Sequence, residues 1–196
     1  MLSREHGAAL VALARKAISS RFSLLPFRPG KEAKRLFSHP AGCYVFLYGN
    51  GRLRGSAGVT ETFRPLYEEL AAVAQNAAFR DPRYPPVKRK EAKELLIEVD
   101  VLTKPKRLDV RNPEDYLKRI RPGRDGVLVR GTYTEGVLLP QAATQNRWNS
   151  LAFLRNACVQ AQLHADDWQD FDNCRIYTFE TQIFSETAPG QVVQIK

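Results

Sequence analysis

The sequence predicts an α+β fold built mainly on antiparallel sheet. Three observations carry this expectation. Asn50-Gly51, and the pair "GVLVRG" and "GVLLP" around "TYTE", mark hairpins that set neighbouring strands side by side. Segments with helical apolar spacing separate these hairpins instead of alternating one-for-one with single strands, which argues against a doubly wound sheet. The 196 residues are 43% hydrophobic, enough for one substantial core or two small ones sharing an interface. No run approaches the roughly 18 apolar residues of a membrane span.

An amphipathic helix starts at Ser3 and gathers Leu10, Leu13, Ala14, Ala17 and Ile18 on one face. Arg4, Glu5, Arg15 and Lys16 interrupt it, so it lacks the organisation of a signal peptide and reads as part of a cytoplasmic protein. In "LLPFRPGKEAKRLFSHPAG" the prolines and glycines stand too close together for a long element. "CYVFLY" follows as a buried strand, then the Asn50-Gly51 turn, then a return strand from about Arg52 and Leu53. "RPLYEELAAVAQNAAF" is a helix with Pro65 in its first turn and a stripe of Leu66, Leu70, Val73, Ala74 and Ala77. It stops before "RDPRYPP", whose prolines favour extended backbone.

"LLIEVDVL" alternates, with Leu95, Ile97, Val99 and Val101 on one side and Leu96, Glu98, Asp100 and Leu102 on the other. The two acids direct that second face to solvent or a cleft, away from a dry core. Asn112-Pro113-Glu114-Asp115 starts a helix, with a cap, a first-turn proline and acids near the positive helix end. "SLAFLRNACVQAQL" is helical, with Leu151, Leu154, Cys158 and Ala161 on a face, and "CRIYTFETQIFSE" closes the chain as a strand with a bend. No repeat, low-complexity segment or linker divides the chain, so residues 1–196 read as one domain.

The net charge of +9 is uneven: residues 1–98 carry +8 and residues 99–196 carry +1. A basic half can steer nucleic acid, nucleotides or acidic metabolites. Yet "PPVKRKEAKE" intersperses lysine with glutamate and offers no aromatic for base stacking, which is the pattern of a solvated surface. Cys43, Cys158 and Cys174 form neither a CxxC pair nor an even disulfide framework, and each lies in an apolar stretch, so they read as buried free thiols. No HExxH, CxxC or Asp-rich loop supports a metal, and no motif names a cofactor.

The stretch "LYGNGRLRGSAG" is the first candidate site. Its "GNG" is explained as a turn. Beyond it, glycines let successive backbone N–H groups face an anion, with Arg54 as a bidentate clamp beside Gly55, Ser56 and Gly58. Arg83 and Arg124 are further cations if the fold brings them near. The loop is not a P-loop, since it lacks GxxxxGK[ST] and follows a hairpin. Alternatively, Arg54 pairs with a carboxylate such as Asp81 or Asp125 and holds two lobes of the fold together. Glu98, Asp100 and Asp125 suit proton transfer or oxygen ligation if they line a cleft, and salt bridges or solvation otherwise. Gln141 is either a polar anchor or a turn-stabilising side chain. Tyr84 and Trp148 either stack on a ligand or finish a core. Ser56 needs a general base to act as a nucleophile, and no spacing assigns His6, His39 or His164 to it.

The ordered series "LRGSAG", "AAFRDPRYPPV", "IEVDVLT", "GRDGVLV", "GVLLPQAATQNRW", "FLRNACVQAQL" and "FSE" resembles the AMMECR domain family, also called AmmeMemoRadiSam system protein A. The match runs through nearly the whole chain. The resemblance implies an α+β domain with two unequal lobes of mainly antiparallel sheet and flanking helices, the larger lobe drawing on both termini, and an interlobe cleft. It also implies Memo-like and radical-SAM proteins as partners, and it supplies no established biochemical activity. Where the family signature reads Leu-Arg-Gly-Cys-Ile-Gly, this chain has Leu53-Arg54-Gly55-Ser56-Ala57-Gly58, which excludes cysteine catalysis at that position. The family's tryptophan-acid pair is here Trp148-Asn149. The expectation is therefore that the interlobe cleft implied by the resemblance binds a small anionic or nucleotide-like ligand, through Arg54, Gly55, Ser56 and Gly58 with Glu98, Asp125 and Gln141 as further candidates, and assists a Memo/radical-SAM system. A protein- or nucleic-acid-binding scaffold and a serine-dependent hydrolase or transferase are the alternatives.

Overall fold

Ser3 caps the first helix, α1 (Arg4–Ser20), in the computed structural model, which describes residues 1–24 and 26–195. The Ser3 Oγ accepts the His6 N–H at 3.2 Å while His6 Nδ1 accepts the Ser3 N–H at 3.1 Å, a reciprocal box that gives this histidine a structural use. The proline-rich segment that follows holds one short helix, α2 (Lys31–Leu36), and Leu25 within it lies outside the described residues. Next come the hairpin β1 (Cys43–Gly49) and β2 (Arg52–Val59), helix α3 (Leu66–Phe79) and strand β3 (Leu96–Leu102). Asn50 and Gly51 take φ of 51° and 72°, the positive values the turn requires.

A two-residue strand β4 (Lys106–Arg107), helix α4 (Glu114–Arg119) and the hairpin β5 (Asp125–Arg130) and β6 (Glu135–Leu138) come next. Helices α5 (Pro140–Asn146) and α6 (Ser150–Gln160) lead to the long strand β7 (Arg175–Ala188) and to β8 (Gln191–Ile195). The chain therefore does not close on the strand ending in "FSE". That strand continues to Ala188, shifts register between Glu186 and Ala188, and turns back into β8. The segment after β6 also turns into a helix: Pro140, expected at the end of a strand, instead occupies the first turn of α5.

Contacts divide the residues into two compact units, Met1–Leu102 with Gln182–Lys196, and Thr103–Thr181. In the first unit the strand order is β2-β1-β3-β7-β8, with β2–β1, β1–β3 and β7–β8 antiparallel. Helices α1 and α3 pack on one another and on this sheet, burying Leu10, Leu70, Val45, Leu47, Ile97 and Val99 in a common core. In the second unit the order is β4-β7-β5-β6, with α6 packed on β5 and β6. Its core gathers Phe153, Leu154, Val127, Val129, Ile176 and Trp168. All three cysteines are free and buried.

Asp100 departs from its expected exposure and is completely buried. It lies on β3, which is buried at every position from Val99 to Leu102, so both faces of the strand are covered there and the alternation that assigned Asp100 to a wet face gives way. A second buried acid, Glu186, is the hub of the first unit. It pairs with Arg15 of α1 and accepts the N–H groups of Ile97 at 2.9 Å and Gly190 at 2.8 Å. Arg15 also donates to the carbonyls of Ala92 and Leu95, so one ion pair joins α1, β3 and the β7–β8 turn. Among the described residues, no helix is long and apolar enough to cross a membrane.

Candidate functional site

Gly55 is small because β2 runs against the end of α3: a Cβ there would lie 2.2 Å from the Ala77 carbonyl oxygen. Gly58 is small because a Cβ would lie 2.0 Å from the Tyr44 ring. Close packing thus accounts for both glycines without an anion. The flanking arginine is also engaged. Arg54 donates from Nε to Glu91 Oε1 at 2.5 Å and from Nη2 to Glu91 Oε2 at 3.2 Å and to the Pro85 carbonyl at 2.9 Å. The carboxylate partner is therefore Glu91, neither Asp81 nor Asp125, and since both residues belong to the first unit the pair does not tie two lobes together.

Asp81 serves the edge of β2 instead. Its Oδ2 accepts the Ser56 N–H at 2.8 Å, and its two oxygens accept Arg83 Nη2 at 2.7 Å and Nε at 2.9 Å. Arg83 Nη2 also donates to Ser56 Oγ at 2.7 Å. The Arg83 guanidinium, with the Ser56 and Arg83 backbone N–H groups, holds the Asp81 carboxyl far below the usual carboxylate range, although burial opposes this. Such a carboxylate is a poor proton acceptor, and Ser56 Oγ already receives a hydrogen bond from a cation. Nothing in this arrangement activates the serine. The Tyr84 ring sits beside both guanidinium groups, its centroid 5.9 Å from Arg54 Cζ and 5.6 Å from Arg83 Cζ. The "DPRYPP" segment is thus bound along the outer strand of the sheet, and two arginines are each balanced by a carboxylate.

Glu98 is on the other side of β1 from Ser56, since Phe46 pairs with Ser56 in β2 and with Glu98 in β3. Two strand spacings, about 10 Å, separate their backbones. Burial pushes the Glu98 carboxyl above its usual range, while hydrogen bonds from Ser185 and Tyr48 oppose the shift. The Tyr48 phenol is pushed up to about 12 by burial and by Glu98 and Asp100. Glu98 is therefore a partly desolvated acid in a small hydroxyl network, and the structure does not bring it to the Arg54 motif.

Asp125 and Gln141 belong to the second unit. Gln141 is in the first turn of α5 and half-buried. Trp148 packs against Phe153, with ring centroids 6.4 Å apart, as part of the second core. Asp125 borders a hollow of about 470 Å³ with Lys104, Lys106, Arg119, Arg121, Arg124 and Glu180. Five cations there face two carboxylates. Asp125 Oδ2 accepts the Arg121 N–H at 2.8 Å and so shapes the turn that presents Arg121 and Arg124. Arg124 donates to Glu180 from Nη2 at 2.6 Å, and both side chains are about half exposed. Among the described residues, Lys104, Lys106, Arg119 and Arg121 form no ion pair at contact distance; Arg119 donates to the Asp109 carbonyl at 2.9 Å and its charge also helps lower the Asp115 carboxyl.

Sequence reasoning singled out Arg124 and Asp125 but missed the other four cations. A local signal existed: residues 104–124 hold eight Lys or Arg against three Asp or Glu. Counting charge over the whole C-terminal half averaged it away. A larger hollow of about 640 Å³ in the first unit, bordered by Arg21, Phe27, Arg64 and Gln75, contains none of the predicted residues. Among the described residues, no three His, Cys, Asp or Glu side chains are grouped to hold a metal ion.

The AMMECR1 family model matches residues 11–184. Protein MK0488 of Methanopyrus kandleri is 40% identical over 191 residues, covering 96% of this chain and 92% of that protein. A protein of Methanothermobacter thermautotrophicus is 40% identical over 186 residues, covering 94% of this chain and 96% of its own length. Uncharacterized protein PH0010 from Pyrococcus horikoshii, known from a crystal structure, has the same fold with a TM-score of 0.92 and 33% identity, covering 99% of this chain and 98% of that one. With matches of this extent in sequence and in fold, the chain belongs to the AMMECR1 family.

Proposed function

We propose that this AMMECR1-family protein binds a small anionic ligand in the basic hollow of its second unit. The observation that carries the reading is the charge there, five cations and two carboxylates around about 470 Å³, a formal excess of three. Like charges gathered on a concave surface repel one another and focus a positive potential, which a bound anion relieves. The arginines add directional donors suited to phosphate or carboxylate oxygens. The Arg54 motif, by contrast, has its guanidinium on Glu91 and the Ser56 N–H on Asp81, and acts as a fastener of the first unit. Ser56 has a cation on its oxygen and a strongly acidic carboxylate beside it, so the reading is of binding without bond cleavage. Such a module fits an accessory role beside the Memo-like and radical-SAM partners that the resemblance implies.

The test is calorimetric titration with inorganic pyrophosphate at low ionic strength. Saturable binding is expected for the wild type and for Arg54→Ala, with loss in Arg121→Glu/Lys106→Glu. No binding by the wild type, or equal binding by the double variant, overturns the reading.

A further inference from the structure

Resting on that reading, we infer that the hollow recognises a linear chain of phosphoryl groups, and that neither a lone phosphate nor a nucleobase supplies its main contacts. The first reason is charge. Arg124 is already shared with Glu180, which leaves Lys104, Lys106, Arg119 and Arg121 for a ligand. With Asp125 counted, the formal excess is three; a single phosphate dianion leaves part of it unbalanced, whereas the larger charge of a phosphoryl chain covers it in full.

The second reason is placement. Lys104 and Lys106 come from the segment at β4, Arg119 from the last turn of α4, and Arg121 and Arg124 from the turn before β5. β4 and β5 flank β7 on opposite sides, with Lys106 opposite Thr178 and Asp125 opposite Glu180. The two cationic rims therefore start two strand spacings apart, about 10 Å between backbones. A linear oligophosphate presents oxygens to both rims along its length.

The third reason is the missing platform for a base. The aromatic side chain bordering the hollow is Phe179, and it is only 2% exposed. A nucleobase gains its sequence-tolerant affinity by stacking on an exposed ring, and a sealed phenylalanine offers none. Discrimination then rests on the phosphate chain, which inorganic tripolyphosphate and a nucleoside triphosphate share.

The experiment is a calorimetric series on the full chain at fixed ionic strength, with orthophosphate, pyrophosphate, tripolyphosphate, ATP and adenosine as probes. Affinity is expected to rise at least about tenfold from orthophosphate to tripolyphosphate, the equivalent of one good charge-assisted contact. ATP should match tripolyphosphate within about threefold, and adenosine should give no heat. Arg121→Gln and Lys106→Gln, both at exposed positions, should each weaken tripolyphosphate about five- to tenfold and orthophosphate less. Equal affinity for orthophosphate and tripolyphosphate overturns chain recognition while leaving anion binding intact. ATP binding about tenfold tighter than tripolyphosphate, or any adenosine binding, overturns the claim that the base is unread. Failure of every phosphate probe overturns both this inference and the reading beneath it.

Discussion

Replacing Arg54 by methionine removes the guanidinium and keeps most of the aliphatic stem, so the loss reads the ion pair more than the packing. Three hydrogen bonds disappear, two to Glu91 and one to the Pro85 carbonyl. The Arg54 and Glu91 side chains are 19% and 31% exposed, between a surface pair and a sealed one. Surface pairs contribute ~0–1 kcal/mol, and breaking a buried pair costs ~3–5 kcal/mol. An intermediate loss of about 2 kcal/mol is expected, which lowers Tm by about 4–8 °C in a chain of this size. Denaturant unfolding followed by circular dichroism measures it. A cycle with Glu91→Gln should show a coupling of about 1 kcal/mol, because each residue is the other's charged partner. Pyrophosphate-induced stabilisation should survive the substitution. A Tm change below about 1 °C together with loss of the pyrophosphate effect would refute the fastening role and return Arg54 to the ligand.

Gly55→Ala should destabilise the protein by about 3 kcal/mol, at the upper end for overpacking, because the new Cβ meets a helix backbone carbonyl at 2.2 Å; unchanged chemical denaturation would refute the close strand–helix approach. Glu98→Gln should raise stability at neutral pH. With its folded pKa raised, Glu98 favours the folded state below its usual value of 4.5 and loses that contribution as pH climbs through the raised value. The variant's advantage in Tm should therefore be larger at about pH 8 than at about pH 4, and a constant advantage would contradict the desolvation of this acid. Glu186→Ala leaves Arg15 beside an emptied site and the Ile97 and Gly190 N–H groups without their acceptor, so a loss of about 3–5 kcal/mol is expected in the same unfolding assay.

The elements legible in the sequence are those whose signals are local. Asn50-Gly51 gave its turn through the φ values it tolerates, and Ser3 its helix start through a short-range cap. Alternation placed Ile97 and Val99 in the core but misplaced Asp100, because period two assumes one wet face and β3 is covered on both faces from Val99 to Leu102. The Arg54 motif was found by its composition, yet its role depends on Glu91, 37 residues away, and on Ala77 behind Gly55. No spacing rule reaches such partners. The basic hollow was hidden for a related reason. Its cations come from β4, the end of α4 and the turn before β5, so only the fold collects them, and only Arg124 and Asp125 stood in a motif that drew attention.

Amide chemical-shift mapping by NMR during titration with tripolyphosphate locates the ligand among all these residues at once. Saturable shifts are expected at residues 103–106, 119–125 and 178–180, around the hollow, with the Arg54–Gly58 and Asp81–Tyr84 amides unmoved. Shifts concentrated at Arg54, Ser56 and Arg83 would place the anion on the outer strand of the first unit and contradict both the fastening role of that motif and the binding role of the hollow.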